Sequence, residues 1–440
     1  MSIEFEFKHK KLMAWLQVLK VWRTLNRAKK NPHYWVEVQN KCIPEFVEYI
    51  YTIPFYKKRF EEVGLKPTDI NKREDFTKLP PLTKEEYREW LLEETKDKSK
   101  FKYWMHRQTT GSSGTPLDLY SLPGDRAAEI ANLSRCALLQ GKGFSPFFSR
   151  LFSTMTPKVG EAKNKWWSFP YAGKMSSIAS PEELVKGYNE ARPDFYHGNK
   201  TAVLAIAQYA LEHDIPLHRA KCVASISEPL YDTDRETMNR AYGNDVVFDI
   251  YGCAETGSFA ADTWKTPGKH TIWNDTHVVN LYCPEKVDGK NNVYSGQLMI
   301  TSLIHRGFPL VNYLVGDTIE LTIEDEVPYI TKILGRTNDV IKNVDGTLFK
   351  WMHINRIMFG LTDIAQFRII QKDLTELLFV LAACGMSENR KKEVEKQIKE
   401  KAVEYFGQDM NSTGKIIRFE WCDRIPPDPT GKIRVLISEV

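Results

Sequence analysis

Positions 109–116 read TTGSSGTP, a segment that consists only of glycine, hydroxyl residues and proline. Glycines let backbone amides approach and curl around an anion, and hydroxyl groups donate hydrogen bonds to its oxygens, so this segment suits phosphate. It lacks the GxxxxGKS/T pattern of nucleotide-hydrolase loops, which disfavours that class. A plain hairpin turn has the same composition, and the segment alone does not separate the two alternatives.

A second candidate follows the apolar stretch from Val246 to Tyr251, which predicts a buried strand. Positions 251–257 read YGCAETG, so the strand ends in an aromatic residue, a glycine and a carboxylate. Strand ends are where α/β sheets bind ligands. Glu255 would hold magnesium as a hard oxygen ligand, and Tyr251 beside Gly252 could flank a flat base. A solvated glutamate in a turn is the structural alternative.

Four short motifs complete the candidates. SEP occupies positions 227–229, GD positions 316–317, GRTND positions 335–339 and PTGKIR positions 429–434. In the last motif, Lys432 follows a glycine and precedes an arginine by two residues. The charge of Lys432 could offset the repulsion between two approaching anions. The structural alternative is an exposed lysine in a C-terminal loop.

The order of the motifs carries more information than any one of them. A glycine-hydroxyl loop, YGxxE, GD, GRxxD and a terminal GKIxR succeed one another along the chain. This pattern resembles the adenylate-forming superfamily of acyl-CoA synthetases and related ligases. IPFYKKRF at 53–60 and LPPLTK at 79–84 are similar to the phenylacetate-CoA ligase and capsule-biosynthesis CapK-like branch. The resemblance extends from about residue 40 to the C-terminus.

The resemblance implies an ATP site. Four hydroxyl residues of the glycine-hydroxyl loop would grip the β- and γ-phosphates: Thr110, Ser112, Ser113 and Thr115. Two short segments would line the adenine pocket: Ser227, Glu228 and Pro229, with Tyr251 and Gly252. Glu255 would carry Mg²⁺, and Asp317 and Arg336 would bind the ribose hydroxyls.

The resemblance also implies how the reaction proceeds. Lys432 would bridge the substrate carboxylate and the α-phosphate while the acid oxygen attacks phosphorus. The acyl-AMP would then react with CoA after a small domain swings about Asn338, where many relatives have aspartate. We therefore expect an AMP-forming acid-CoA ligase that uses ATP, magnesium and a small carboxylic acid, with aromatic acids among the candidate substrates.

Departures from the branch leave the acyl acceptor open. Several members of the branch carry a Cys-x-Cys-Gly zinc element before the GR motif, but this chain has ITKILG at 330–335, so we expect no zinc. One alternative is a ligase that passes the acyl group, or AMP itself, to an amine or hydroxyl in polysaccharide or natural-product biosynthesis. Another is a non-catalytic binding protein, against which the retained charged site residues argue.

Chain length, net charge and cysteine content limit the possible classes of protein. A chain of 440 residues is too long for one hydrophobic core, so we expect two domains, 1–337 and 338–440. A formal charge of +4 falls short of a nucleic-acid-coating surface. Seven scattered cysteines without a CxxC pair, and no long apolar run, predict a cytoplasmic protein without a transmembrane segment. The sequence leaves the oligomeric state open, with a homodimer among the alternatives.

Secondary-structure patterns predict how the candidates are positioned. Short aromatic and aliphatic strands alternate with helical segments in the first 275 residues, and strands with glycine turns follow from Thr276 to Ile333. This predicts a large α/β domain with a β-rich subdomain. After Gly335 the pattern restarts with strands and a charged helix, Glu388 to Phe406, which predicts a small mobile α+β domain.

Positions 8–30 predict a basic amphipathic helix. Five apolar residues recur at helical spacing: Leu12, Trp15, Leu16, Leu19 and Trp22. We expect this stripe to pack on its own domain and to leave a basic face in solvent. Docking of the helix on a membrane or on a protein is the alternative.

Overall fold

The structure of the protein is a computed structural model. It describes residues 2–109, 117–156, 171–337, 340–344, 346, 348–350, 357–358, 361, 363–364, 366–383, 385–406, 416–428 and 432–440. The chain divides into two compact units, Met1–Val315 with Ile319–Ile333 and Gly316–Thr318 with Leu334–Val440. The predicted domain boundary between positions 337 and 338 stays a prediction.

The described part of the N-terminal unit contains nine α-helices. They are α1 (Ile3–Lys8), α2 (Lys10–Lys30), α3 (Tyr34–Tyr51), α4 (Pro54–Glu62), α5 (Lys84–Glu94), α6 (Pro123–Leu139), α7 (Pro181–Ala191), α8 (Lys200–Glu212) and α9 (Asp232–Tyr242). Proline begins α4, α6 and α7, because its fixed φ and missing N–H suit the first turn. Within the described ranges, the helices include none that could span a membrane.

Strands β1 (Met105–Gln108) and β2 (Asp118–Ser121) form an antiparallel hairpin around the glycine-hydroxyl loop. The strands of the large sheet are β3 (Leu151–Thr156), β4 (Tyr171–Ser176), β5 (Phe195–Asn199), β6 (Cys222–Ile226), β7 (Val247–Cys253), β8 (Gly257–Thr263), β9 (Thr266–Ile272), β10 (His277–Lys286), β11 (Val293–Ser302), β12 (Tyr313–Glu324) and β13 (Val327–Arg336). Their order is β10-β11-β12-β13-β9-β8-β7-β6-β5-β3-β4.

Apolar side chains cover both faces of the parallel strands β4-β3-β5-β6-β7. In β5, Phe195 packs on one face with residues of α6, and its neighbour Tyr196 packs on the other face with residues of α7, α8 and α9. In β6, Cys222 packs on the same face as Phe195, and its neighbour Val223 packs on the same face as Tyr196. Parallel strands that carry helices on both faces must be apolar almost throughout. The predicted α/β class is confirmed.

The antiparallel half of the same sheet begins where β7 turns into β8. Strands β8, β9 and β13 follow with antiparallel pairing, and β10 pairs antiparallel with β11. The predicted β-rich stretch from Thr276 to Ile333 thus contains β10 to β13 and is hydrogen-bonded into the sheet that also holds the parallel strands.

The C-terminal unit is a small α+β structure, as its pattern predicts. Within its described residues, the elements are β14 (Val340–Lys342), β15 (Leu348–Lys350), β16 (Gln366–Gln371), β17 (Glu376–Ala382), α10 (Glu388–Phe406), β18 (Ile416–Cys422) and β19 (Leu436–Ser438). The last four strands form a sheet in the order β18-β17-β16-β19. Val394, Ile398 and Ala402 of α10 are fully buried, which gives the otherwise charged helix one apolar stripe.

Helix α2 forms as predicted, but it buries a different face from the one we expected. The five large residues of the predicted stripe are all exposed: Leu12, Trp15, Leu16, Leu19 and Trp22. A row of smaller apolar residues is buried instead: Ala14, Val18, Val21, Leu25 and Ala28. Small side chains allow α2 to pack closely along α6, where Val18 and Val21 meet Ala131. The expected packing of the large stripe is therefore wrong.

A buried ion pair holds α6 to the connection between β9 and β10. The Arg135 guanidinium donates to Asp275, with 2.9 Å from Nη2 to Oδ2, and both side chains are at most 2% exposed. The indole rings of Trp35 and Trp273 lie 5.5 and 5.3 Å from the guanidinium carbon. Aromatic faces and a carboxylate together replace the water that Arg135 loses on burial.

Arg135→Ala should lower the free energy of unfolding by about 3–5 kcal/mol, because it leaves the Asp275 carboxylate buried without its partner. Urea denaturation followed by circular dichroism measures this loss. Arg219→Ala is the matched control, since Arg219 pairs with Asp245 at 2.9 Å but keeps its side chain 71% exposed. The control should lose less than about 1 kcal/mol. Equal losses in both variants would contradict the role of burial.

Candidate active site

The predicted phosphate-binding residues and hinge lie outside the described residues: Thr110, Ser112, Ser113, Thr115 and Asn338. The residues on either side of the glycine-hydroxyl loop are described. Thr109 N–H donates to the Leu117 carbonyl at 2.9 Å, and Leu117 N–H donates to Thr109 Oγ1 at 2.8 Å. These two bonds extend the β1–β2 ladder and hold the ends of the loop together.

The turn after β7 places Glu255 between two paired strands. A Cβ at Gly252 would lie 2.6 Å from the Gly257 carbonyl oxygen and 2.8 Å from the Ser258 Cα, so only glycine fits there. Gly257, with a φ of +73°, begins β8 at the other end of the turn. This close approach explains why the segment YGCAETG requires glycine beside the tyrosine.

Tyr313 holds the Glu255 carboxylate. Its hydroxyl donates to Glu255 Oε1 at 3.1 Å, from the first residue of β12. Burial and then the negative charge of Glu255 raise the pKa of Tyr313, so the hydroxyl keeps its proton and remains a donor. Burial, with Glu255 adding to it, also raises the pKa of Cys253 to about 12. The Cys253 thiol is therefore protonated at neutral pH.

Tyr251 lies against the core of the N-terminal unit. Tyr251 is 8% exposed. The centroid of its ring lies 4.9 Å from the centroid of the Phe259 ring, and the two rings are tilted relative to each other. The neighbouring His270 ring is 6.3 Å away. The tyrosine is thus held by aromatic packing at the strand end, one residue before Gly252. Its predicted contact with a base stays a prediction.

The turn at 227–229 follows β6 and lies against the start of α8. The Glu228 carboxylate accepts a bond from Thr201 N–H at 3.0 Å and from Thr201 Oγ1 at 2.6 Å, so it caps the first turn of α8. Ser227, with a φ of +76°, is exposed, and Pro229 is half-buried. The structure therefore gives Glu228 a positioning role that the motif alone did not reveal.

Unpartnered buried polar groups lie at the carboxyl ends of β5 and β6. Asn199 is 1% exposed, and neither atom of its amide group has a hydrogen-bond partner within the described part of the protein. The same holds for Ser225 Oγ and His197 Nδ1. Burial lowers the pKa of His197 to about 4, so its ring is neutral at physiological pH. Polar groups buried without a protein partner at this edge are suited to bind a polar ligand.

Sequence reasoning missed a charged cluster around Glu129 of α6. Arg107 Nη2 donates to Glu129 Oε1 at 2.7 Å, and Arg126 also binds the carboxylate. His305 Nε2 lies 2.8 Å from the same Oε1, and Ser302 Oγ lies 2.6 Å from His305 Nδ1. We name this set the Glu129 cluster. Its members come from distant segments, so no local motif announces it.

The Glu129 cluster joins the glycine-hydroxyl hairpin to the turn that carries Glu255. Arg107 belongs to β1, and a Cβ at Gly257 would lie 3.2 Å from Glu129 Cγ, so the carboxylate side chain packs under the start of β8. Burial alone would raise the pKa of Glu129, but Arg107, Arg126 and the bond with His305 hold it well below its usual range. The cluster is therefore anionic at its centre.

In the C-terminal unit, the structure brings the two predicted ribose ligands together. Arg336 Nε lies 3.6 Å from Asp317 Oδ1. The backbone supports this pair, because Thr337 N–H donates to the Gly316 carbonyl at 2.8 Å. Gly316 and Gly335 have φ values of +87° and +106°, which explains the glycine that precedes each ligand.

Asp428 fixes the backbone of Lys432. Asp428 N–H donates to the Lys432 carbonyl at 2.8 Å, and Lys432 N–H donates back to Asp428 Oδ1 at 3.4 Å. The same carboxylate lies 3.5 Å from Arg434 Nε. These contacts connect Asp428 with the described lysine and arginine of the GKIxR motif. The ion pair with Asp428 gives a structural explanation for the arginine that the motif carries two residues after the lysine.

Cys253, His270 and Glu255 are the residues whose surroundings bear on metal binding. Cys253 Sγ lies 3.2 Å from Thr256 Oγ1, and His270 Nε2 lies 2.9 Å from Asp249 Oδ2. Within the described ranges, no group of three or more potential ligands surrounds a common point. Glu255 offers one carboxylate, and this fits Mg²⁺, which commonly takes one or two carboxylates and fills its other positions with water and phosphate oxygens.

Comparison with known proteins identifies relatives of this chain. Residues 341–439 match a family model described as the CapK C-terminal domain. Protein CapK of Staphylococcus aureus is 25% identical over 423 residues, which cover 92% of this chain and 89% of that protein. Phenylacetate-coenzyme A ligase of Pseudomonas putida is 24% identical over 311 residues, which cover 66% of this chain and 67% of that ligase.

A crystal structure of 2-hydroxyisobutyryl-CoA ligase in the postadenylation state, in complex with R3-HIB-AMP, has the same fold. The TM-score is 0.67 at 18% identity, and the match covers 94% of this chain and 90% of that one. The resemblance to the adenylate-forming superfamily is confirmed by these relatives. The similarity extends to the branch that contains CapK and the phenylacetate-CoA ligases, as the motifs indicated.

Glu129→Gln should destabilise the protein by about 1–3 kcal/mol at pH 7, because the two arginines, which are 26% and 30% exposed, lose the charged carboxylate that they bind. The pKa of Glu129 in the folded state lies below its usual 4.5. Its contribution is therefore present above about pH 4.5 and is lost as the pH falls through the lower folded-state pKa. Urea denaturation of both proteins between pH 7 and pH 3 should show the difference shrinking below pH 4.5. Glu89→Gln, at an exposed position of α5, should show no difference at any pH.

Proposed function

We propose that the protein activates a carboxylic acid with ATP to form an acyl-AMP and pyrophosphate, and then transfers the acyl group to CoA. The observation that carries this proposal is the Glu255 carboxylate at the end of β7, held by Tyr313 beside the glycine-hydroxyl hairpin. Similarity to the adenylate-forming superfamily, and to ligases whose names specify coenzyme A, supports it.

The N-terminal unit provides groups for the nucleotide and the acid. Glu255 is the residue that would hold Mg²⁺, whose charge neutralises phosphate oxygens when it is bound. The hydroxyl residues of the glycine-hydroxyl loop would bind the phosphates of ATP. Asn199 and Ser225 offer buried polar groups at the neighbouring strand ends, where a polar ligand would satisfy them. All of these groups precede or follow strands of the N-terminal unit.

The chemical step is an in-line displacement at the α-phosphorus. A carboxylate oxygen of the acid forms a new bond to phosphorus, and the bond to the oxygen that bridges to the β-phosphate breaks. Pyrophosphate leaves with that electron pair. Lys432 offsets the repulsion between the carboxylate and the α-phosphate in this step, and Asp317 with Arg336 binds the ribose hydroxyls.

The second half-reaction transfers the acyl group from AMP to an acceptor. With CoA, the thiol sulfur attacks the acyl carbon, AMP leaves, and the thiol proton passes to the medium. An alternative acceptor is an amine or hydroxyl, which the resemblance to the capsule-biosynthesis branch left open. The chain matches CapK over 92% of its length, and its C-terminal part matches the CapK C-terminal domain, whereas the phenylacetate-CoA ligase match covers 66%.

A single assay separates these proposals. The full chain is incubated with ATP, Mg²⁺ and a panel of aryl and alkyl acids, phenylacetate included, with and without CoA. Pyrophosphate and AMP are quantified, and acyl products are identified by mass spectrometry. Acyl-CoA supports the ligase proposal and names the acid. AMP release that needs an amine or hydroxyl acceptor supports the alternative. No acid-dependent pyrophosphate release with any acid would contradict adenylation.

Lys432→Ala should reduce acid-dependent pyrophosphate release by at least ~100-fold, because the variant lacks the charge that shields the two anions in the transition state. Lys396→Ala, an exposed lysine of α10, is the matched control and should keep full activity. Circular dichroism of both variants checks that the fold is intact. An unchanged rate in Lys432→Ala would remove this residue from the catalytic step.

A further inference from the structure

Helix α2 presents an unusual surface, which we name the outer apolar face. It consists of five large apolar residues that are each 36% to 52% exposed: Leu12, Trp15, Leu16, Leu19 and Trp22. At 100° per residue, they span an arc of about 120° on the other side of the helix from the buried row against α6. A helix that is already packed through one apolar face does not need a second apolar face for its own stability.

The outer apolar face continues beyond the helix. The Trp15 ring lies 4.8 Å from the ring of Phe147, which packs beside Val18 and Val21. The next residue, Phe148, is 83% exposed, the largest exposure of any large apolar residue in the described part of the chain. The connection between α6 and β3 therefore adds a second apolar projection next to the helix.

The charges of α2 identify the chemistry of what this face contacts. The helix contains seven basic residues and no acidic one: Lys10, Lys11, Lys20, Arg23, Arg27, Lys29 and Lys30. Of these, Lys11, Lys20, Arg23 and Lys30 are exposed along or beside the outer apolar face. Large apolar and aromatic side chains framed by lysine and arginine match the layered chemistry of an anionic bilayer surface, with acyl chains beneath negative headgroups.

We propose that α2 docks the protein on bilayers that contain anionic phospholipids, with the outer apolar face inserted among the headgroups. Trp15 and Trp22 would lie at the boundary between headgroups and acyl chains, which indole rings prefer. The long stems of Lys20 and Arg23 would cover apolar surface while their charges reach the phosphates. With 21 residues the helix is about 31 Å long, and it would lie parallel to the membrane plane.

Charge also argues against a second copy of this chain as the occupant of the face. Two α2 helices packed through their outer apolar faces would bring together two sets of basic residues without an acidic residue from either helix. Like charges at such an interface are unfavourable. An anionic bilayer has the opposite charge and accepts apolar side chains at the same time.

Co-sedimentation with vesicles tests the proposal on the full chain. Vesicles of phosphatidylcholine alone are compared with vesicles of phosphatidylcholine and phosphatidylglycerol. Binding to the mixed vesicles is expected at low salt, with much weaker binding to the neutral ones, because the anionic headgroups attract the basic residues. Equal binding to both kinds of vesicle, or binding to neither, would overturn the proposal.

Two pairs of matched variants separate the apolar and the charged contributions. W15S/W22S should abolish binding, whereas V63S/L92S, which changes two exposed apolar residues elsewhere, should not. K20Q/R23Q should weaken binding roughly 30-fold, at about 1 kcal/mol per basic residue, and K98Q/K100Q should leave it unchanged although it removes the same charge. Unchanged binding in W15S/W22S would exclude the outer apolar face as the docking site.

Two further measurements distinguish insertion from other contacts. Brominated acyl chains in the mixed vesicles should quench tryptophan fluorescence in the wild-type protein, and W15F/W22F should bind but show less quenching. Sedimentation velocity without lipid reports self-association. A dimer that dissociates in W15S/W22S, together with no vesicle binding, would assign the face to a second copy and overturn the proposal. None of these readouts depends on ligase activity.

Discussion

The parallel part of the large sheet is buried on both faces, and this constraint decides where chemistry can take place. Side chains within β5 and β6 alternate between two apolar layers, so the strands have no room for solvated polar groups along their length. A polar group along a strand is buried, as Asp249 of β7 is beside His270, whereas the polar groups of the predicted site lie toward the strand ends. Asn199, Ser225 and Glu255 are all found at or just beyond the carboxyl ends of β5, β6 and β7.

The predicted site residues are also held by contacts that do not themselves take part in the proposed reaction. Tyr313 binds Glu255, Glu228 caps α8, and Asp428 binds the backbone of Lys432. In each case the supporting residue is distant in sequence or lies across a turn. Such supporting contacts orient the side chains that would touch a substrate. They also restrict the motion of these side chains before binding, so binding loses less conformational entropy.

Motif order predicted the superfamily and the branch, and the alternation of strands with helical segments predicted the α/β class. The Glu129 cluster could not be predicted, since Glu129 and His305 are 176 positions apart and neither belongs to a motif. The packing of α2 was predicted wrongly because hydrophobic size favoured Trp15 and Trp22, whereas close helix packing selected the smaller Val18 and Val21. Periodicity identifies a helix, but it does not choose between two apolar faces.

The shared carboxylate of the Glu129 cluster has a consequence for sequence change in this lineage. Arg107, Arg126 and His305 all bind one buried group, so replacing any of them leaves the others with an altered balance of charge and hydrogen bonds. A neutral exchange at one of these positions would require a compensating exchange at another. These three residues and Glu129 should therefore change together in evolution, and they should appear as covarying positions when relatives of this chain are compared.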